Sequence, residues 1–152
     1  MGSRAWLAGL LLAVAACGTT GPSMGPLAEL ERAEAAWEQE GPSSYTYAIE
    51  RLCFCAPDGR GPVRVRVEAG AVTERTYVAS GDPVADPLAA AFPAVEGLFD
   101  ILRSALDSGA HSVSVTYDPD LGVPLELFID YHQQTADEEL GMKVTEDVEP
   151  LP

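Results

Sequence analysis

Cationic side chains are scarce in this chain. Its 152 residues hold 9 Lys and Arg against 24 Asp and Glu, for a formal net charge of −15. Such a surface repels phosphate backbones, which argues against nucleic acid as a partner. It also repels anionic lipid headgroups, so a membrane contact has to come from something other than a basic patch. Histidine is scarcer still. His111 and His132 are the only two, and each falls at an expected strand end, where a solvated imidazole is ordinary. No HExxH pair and no glycine-rich phosphate loop occurs, so two common routes to catalysis lack their residues. The chain reads as a non-enzyme, with no cofactor expected. Long apolar runs are missing too. Residues 5–16 fall short of the roughly 20 residues that a membrane span needs.

That short apolar stretch has another reading. It follows a single cation, Arg4, and ends in the small residues Ala15 and Ala16. A basic start, an apolar middle and small residues before a cut site make a secretory leader. The run Val14-Ala15-Ala16-Cys17 resembles a bacterial lipobox. That resemblance implies diacylglycerol transfer to the Cys17 thiol, cleavage before it, and attachment to the lipid bilayer through acylated Cys17. Cleavage would remove one charge, Arg4, and take the net charge from −15 to −16. The residue after the cysteine is Gly18 rather than the Asp of inner-membrane retention. In a cell with two membranes this implies an outer-membrane protein facing the periplasm.

Cysteine is limited to three residues. With Cys17 as the anchor, Cys53 and Cys55 remain, outside the cytoplasm, where disulfides persist. Alternate residues of a strand point the same way with Cα atoms about 6.6 Å apart, near the upper limit for an unstrained bridge. A kink before Pro57 would shorten that distance. A local disulfide, a pair of buried apolar thiols and a soft-metal pair holding Cu(I) all fit the residues. The oxidising compartment and the even count favour the disulfide.

The organisation follows from punctuation and periodicity. Residues 1–16 are the leader and 17–26 a Gly/Thr/Pro/Ser tether. Residues 27–148 make one domain and 149–152 a frayed tail. Residues 27–40 read as a helix burying Leu27, Leu30, Ala33 and Trp37. Residues 44–55 switch to period two, with Tyr45, Tyr47 and Ile49 on one face. Val63, Val65 and Val67 alternate with Arg64, Arg66 and Glu68, and Ala69-Gly70 turns the chain into a returning strand over 72–78. Residues 79–92 read as a loop. Residues 93–108 form the strongest helix, with a stripe of Val95, Leu98, Phe99, Leu102, Ala105 and Leu106. Strands follow at Val113–Tyr117 and Leu125–Tyr131, and a weaker one at 142–148. The expected class is α+β: an antiparallel sheet of five to six strands, two helices on one face, and an αβββ unit that recurs.

The residues Trp37, Tyr45-Thr46-Tyr47, Cys53-Phe54-Cys55 and Gly61-Pro62-Val63-Arg64-Val65-Arg66-Val67 form a distinctive set. With them come Val95-Glu96-Gly97-Leu98-Phe99-Asp100, Val115-Thr116-Tyr117-Asp118-Pro119-Asp120-Leu121-Gly122-Val123-Pro124 and Ile129-Asp130-Tyr131. Together these resemble a family of bacterial lipoproteins known only as a domain of unknown function, over about residues 37–145. The chain departs from that pattern at His132-Gln133-Gln134. The resemblance implies an envelope location and an α+β domain; it brings no activity and no catalytic residues.

Charge is unevenly placed. Five of the nine cations, Arg51, Arg60, Arg64, Arg66 and Arg75, fall within residues 51–75. Asp118, Asp120, Asp130, Asp137, Glu138 and Glu139 form an acidic set that could suit Ca²⁺, which takes six to eight oxygen ligands. Asx-turn chemistry explains Asp118 and Asp120 without a metal. The expected function is a membrane-anchored, non-catalytic binding or interaction domain of the cell envelope, meeting an envelope protein partner. The alternative is an envelope lipoprotein that binds a small ligand or a metal, Ca²⁺ or copper.

Overall fold

The structure, a computed structural model, describes residues 25–133 and 139–152. Helix α1 spans Pro26–Glu40 and leads through Gly41 into strand β1, Tyr45–Leu52. A one-turn helix α2, Pro57–Arg60, precedes β2, Val63–Glu68, and β3, Ala71–Tyr77. A second one-turn helix α3, Asp86–Ala89, precedes the long helix α4, Val95–Asp107. Strands β4, Ser112–Tyr117, β5, Pro124–Asp130, and β6, Leu140–Pro150, complete the domain.

All six strands form one antiparallel sheet in the order β3-β2-β1-β6-β5-β4. It consists of two three-stranded meanders joined by β1 and β6. The αβββ order recurs, with the two short helices added in the connections. The halves nonetheless hold unlike positions: β1 lies at the centre of the sheet, whereas β4 lies at its edge.

Alternation decides which sheet face is covered. Tyr45, Tyr47 and Ile49 on β1, Val63, Val65 and Val67 on β2, and Leu127 and Ile129 on β5 are all buried. Against them lie Leu30, Ala33 and Trp37 of α1 and Val95, Leu98, Phe99, Leu102 and Ala105 of α4. Each fully buried large apolar side chain contributes about 1.5–3 kcal/mol, so this single layer carries the fold. Leu106 and Val115 are only half-buried at its rim. Leu27, expected in the core, is 46% exposed because it sits in the first turn of α1, short of the sheet.

The polar atoms at the helix–sheet seam are paired. Trp37 Nε1 and the Tyr45 hydroxyl donate to the two carboxylate oxygens of Glu96, at 3.1 and 2.9 Å. The backbone N–H of Val95 donates to the Tyr45 hydroxyl at 3.0 Å, which satisfies a free donor at the start of α4. The Tyr47 hydroxyl donates to the carbonyl of Pro93. Burial pushes the hydroxyl pKa of both tyrosines well above 10, with the Glu96 charge adding to it.

The C-terminal segment differs from expectation. β6 is the longest strand and a central one, not a weak addition. The tail is not frayed: Glu149 and Pro150 stand opposite Thr46 and Tyr45, and the Leu151 N–H donates to Ser44 O at 2.9 Å. Valines and Met142 on one face, alternating with charges, give β6 a sheet pattern that its acidic composition obscures. Earlier in the chain, β1 stops at Leu52 and not at residue 55, and the segment that follows forms α2.

Candidate functional site

The open face of the sheet is mostly charged. Arg64 forms a two-pronged ion pair with Glu146 that spans β1 and closes over Ala48, which is fully buried. Arg66 pairs with Glu68. Towards the end of β1 this gives way to apolar groups. Leu52 stands opposite Gly141 of β6, and Gly141 stands opposite Phe128 of β5. A Cβ on Gly141 would lie 2.8 Å from that of Leu52, so glycine lets the leucine lie flat across β6. Leu52 and Phe128 stay 45% and 38% exposed.

The chain bends as it leaves β1, and Cys53 and Cys55 are joined by a disulfide with Cα atoms 5.3 Å apart. The bend closes the gap that an ideal strand would leave. Phe54, at the crown of this small ring, is fully exposed. The ring is held from below. Arg60 Nε donates to Cys55 O at 3.1 Å, Arg51 donates to Gly59 O at 3.3 Å, and Gly59 lies buried against the Cys55 side chain. Tyr77 of β3 donates to Asp58 O, which fixes α2 to the sheet. Arg51, Leu52, Cys53, Phe54, Cys55, Arg60 and Glu139 line a groove of about 580 Å³. It combines an exposed ring, two guanidinium groups and one carboxylate.

Among the described residues the acidic set is not brought together. Asp118 Oδ1 accepts from the N–H groups of Asp120 and Leu121, at 3.0 and 2.6 Å, and so closes the β4–β5 connection as an Asx turn. Asp130, at the far end of β5, accepts from the His132 N–H. Among the described residues no three His, Cys, Asp or Glu side chains form a group fit for a metal ion. Asp137 and Glu138 lie outside the described residues, as does Cys17. His111 and His132 are both exposed.

The β4–β5 connection is tied to α1 instead. Gly122 has φ +75°, and a Cβ there would fall 2.1 Å from the carbonyl oxygen of Ala33, so only glycine admits this approach. Tyr117 sits beneath the same helix. Its hydroxyl pKa is pushed up to about 12 by burial and by Glu29 and Glu34. Arg103 of α4 pairs with Glu34. The Asp118-to-Pro124 motif therefore docks the first helix, and the bend after β1 lies at the opposite end of the sheet.

Periodicity placed Phe128 on the outward face but gave no sign that Leu52 and Gly141 would extend it across three strands. The signal was a lone glycine in a strand, which marks close approach by a neighbour.

No match is found among the curated proteins or among the solved structures. A family model does match, over residues 29–150, and the chain belongs to that family of unknown function (DUF6174).

Proposed function

We propose that this protein is a lipid-anchored protein of the bacterial envelope whose domain is a non-catalytic binding module, and that its contact surface is the end of the sheet around Phe54. Cys17 carries the acyl groups and the following residues form a short tether. A single chain binds a bilayer only marginally, whereas two or more hold it stably. The observation that carries the binding role is the fully exposed Phe54 on its disulfide ring, sharing one groove with Leu52. Exposed apolar groups rimmed by charge mark interaction sites. Arg51 and Arg60 beside them, in a chain of net charge −15, suit an envelope protein that offers an acidic, apolar segment.

Two measurements test this. Labelled palmitate should enter the wild-type chain and not the Cys17→Ser variant, which should also stay uncleaved. A photo-crosslinking side chain at position 54 should capture one envelope protein in intact cells, and the same group at the exposed Glu38 of α1 should not. Processing and release of Cys17→Ser like the parent would remove the anchor. Equal capture from both positions would remove the contact surface.

The groove volume supports a second reading, in which the same site takes a small ligand, since such sites span roughly 300–1,000 Å³. Native mass spectrometry of protein purified from its own envelope separates the two.

A further inference from the structure

The two edges of the sheet are finished differently. On the β3 edge, the loop after Tyr77 folds back along the strand. Tyr77 N–H donates to Asp82 O, Val84 N–H donates to Arg75 O, both at 2.9 Å, and Thr76 bridges Pro83. A register shift between Arg66 and Val67 and the exposed charge of Glu74 guard the rest of that edge. These are the ordinary devices that keep an edge from pairing with another chain.

The β4 edge has none of them over most of its length. Among the described residues β4 pairs only with β5, and no hydrogen bond caps its outer side. Ser112-Val113-Ser114-Val115-Thr116-Tyr117 contains no Pro, no Gly and no charge, and the one register shift comes at its last step, between Thr116 and Tyr117. Open backbone N–H and C=O groups on a regular, uncharged strand form a template for one more strand.

We propose that the β4 edge pairs antiparallel with the β4 edge of a second copy of this chain, about a two-fold axis at Ser114, to give a continuous twelve-stranded sheet. The sequence is self-complementary in that register. Ser114 faces Ser114, Val113 faces Val115, and Ser112 faces Thr116, so hydroxyls meet hydroxyls on the open face and valines meet valines on the covered one. A two-fold interface requires this match of a patch with itself. Val113 and Val115 are half-buried in one copy, and a strand alongside would complete their burial. Charge selects the strip. Copies of net charge −15 repel over most of their surface, but six uncharged residues line this edge. At each end of the pair, His111 comes alongside Tyr117 and Asp118 of the second copy, placing an imidazole near a carboxylate.

The test uses the full-length chain in its own membrane. Ser114→Cys, treated with a short bis-maleimide, should give a homodimer whose peptide map shows position 114 joined to position 114. Thr76→Cys, on the blocked β3 edge, should give none. Purified wild-type chain should sediment as a dimer. Ser114→Lys, which sets two ammonium groups face to face at an exposed position, should sediment as a monomer with its thermal midpoint unchanged. A link from position 114 to residues 1–24 of the same chain, or to a different protein, would overturn the proposal. So would wild-type chain that stays monomeric and does not crosslink through position 114.

Discussion

The indole of Trp37 stands edge-on to the ring of Tyr45, with centroids 5.2 Å apart and planes at 85°. This contact joins α1 to the first strand, and Glu96 of α4 takes a hydrogen bond from each of the two rings. Helix α1, the strand that follows it, and α4, whose Glu96 lies 51 residues beyond Tyr45, therefore meet at one carboxylate. Tyr45→Phe should keep the ring contact but leave the Val95 N–H buried without a partner. The expected loss is about 1–3 kcal/mol, read as a lower urea midpoint with an unchanged slope. A loss under about 0.5 kcal/mol would mean that water replaces the hydroxyl.

Leu102 is buried in the middle of the α4 stripe. Leu102→Ala should cost about 2–5 kcal/mol through lost transfer energy and the cavity left behind. Ile101, half-buried on the same helix, should cost distinctly less on truncation. Equal losses at the two positions would contradict the assigned core face.

The Cys53–Cys55 ring spans two residues, so it removes little entropy from the unfolded chain. Cys53→Ser with Cys55→Ser should destabilise well below the ~3 kcal/mol expected of a 15-residue loop. The change should appear locally, as faster amide exchange across 53–61 with β2 and β5 unaffected. Intact mass should show two hydrogens fewer than the dithiol form, and neither thiol should alkylate before reduction.

Tyr45, Tyr47 and Tyr117 all have hydroxyl pKa values raised by folding. An acid whose pKa is higher when folded contributes stability that is full below its unfolded value, near 10, and is lost as pH rises through the folded one. Stability should therefore fall from about pH 10 upward, with Tyr117 contributing the part that ends at about 12. Ultraviolet titration should show Tyr45, Tyr47 and Tyr117 ionising only above pH 10, or together with unfolding. Five tyrosines titrating together near pH 10 with the fold intact would contradict the buried seam.

Element types were legible because most segments carry an unambiguous period. The alternation of Val63, Val65 and Val67 with arginines, and the α4 stripe, each fit one conformation and one buried face. β6 was harder to read. Its value lies in pairing with a strand some ninety residues away, a contact that no local pattern reports. The candidate site was legible in its cysteines and not in its surroundings. Exposure of Leu52 depends on β1 ending there, and its shelter over Gly141 depends on the register of β1 against β6. Leu27 misled because helical spacing places a residue on a face and does not say how far along the helix the sheet reaches.

The pairing of β1 with β6 also bears on how the domain comes into being. The β1–β3 meander emerges first, yet its innermost strand keeps a bare edge until residue 150 has appeared. The sheet closes from the middle, and its last piece is also its keystone. Contacts of such long sequence separation slow folding, so the sheet stays open at its centre until β6 has been made and joins β1. Trimming a few residues after Asp147 would take Glu149 and Pro150 from the central pair, where a loss of equal length at β3 or β4 would touch only the margin.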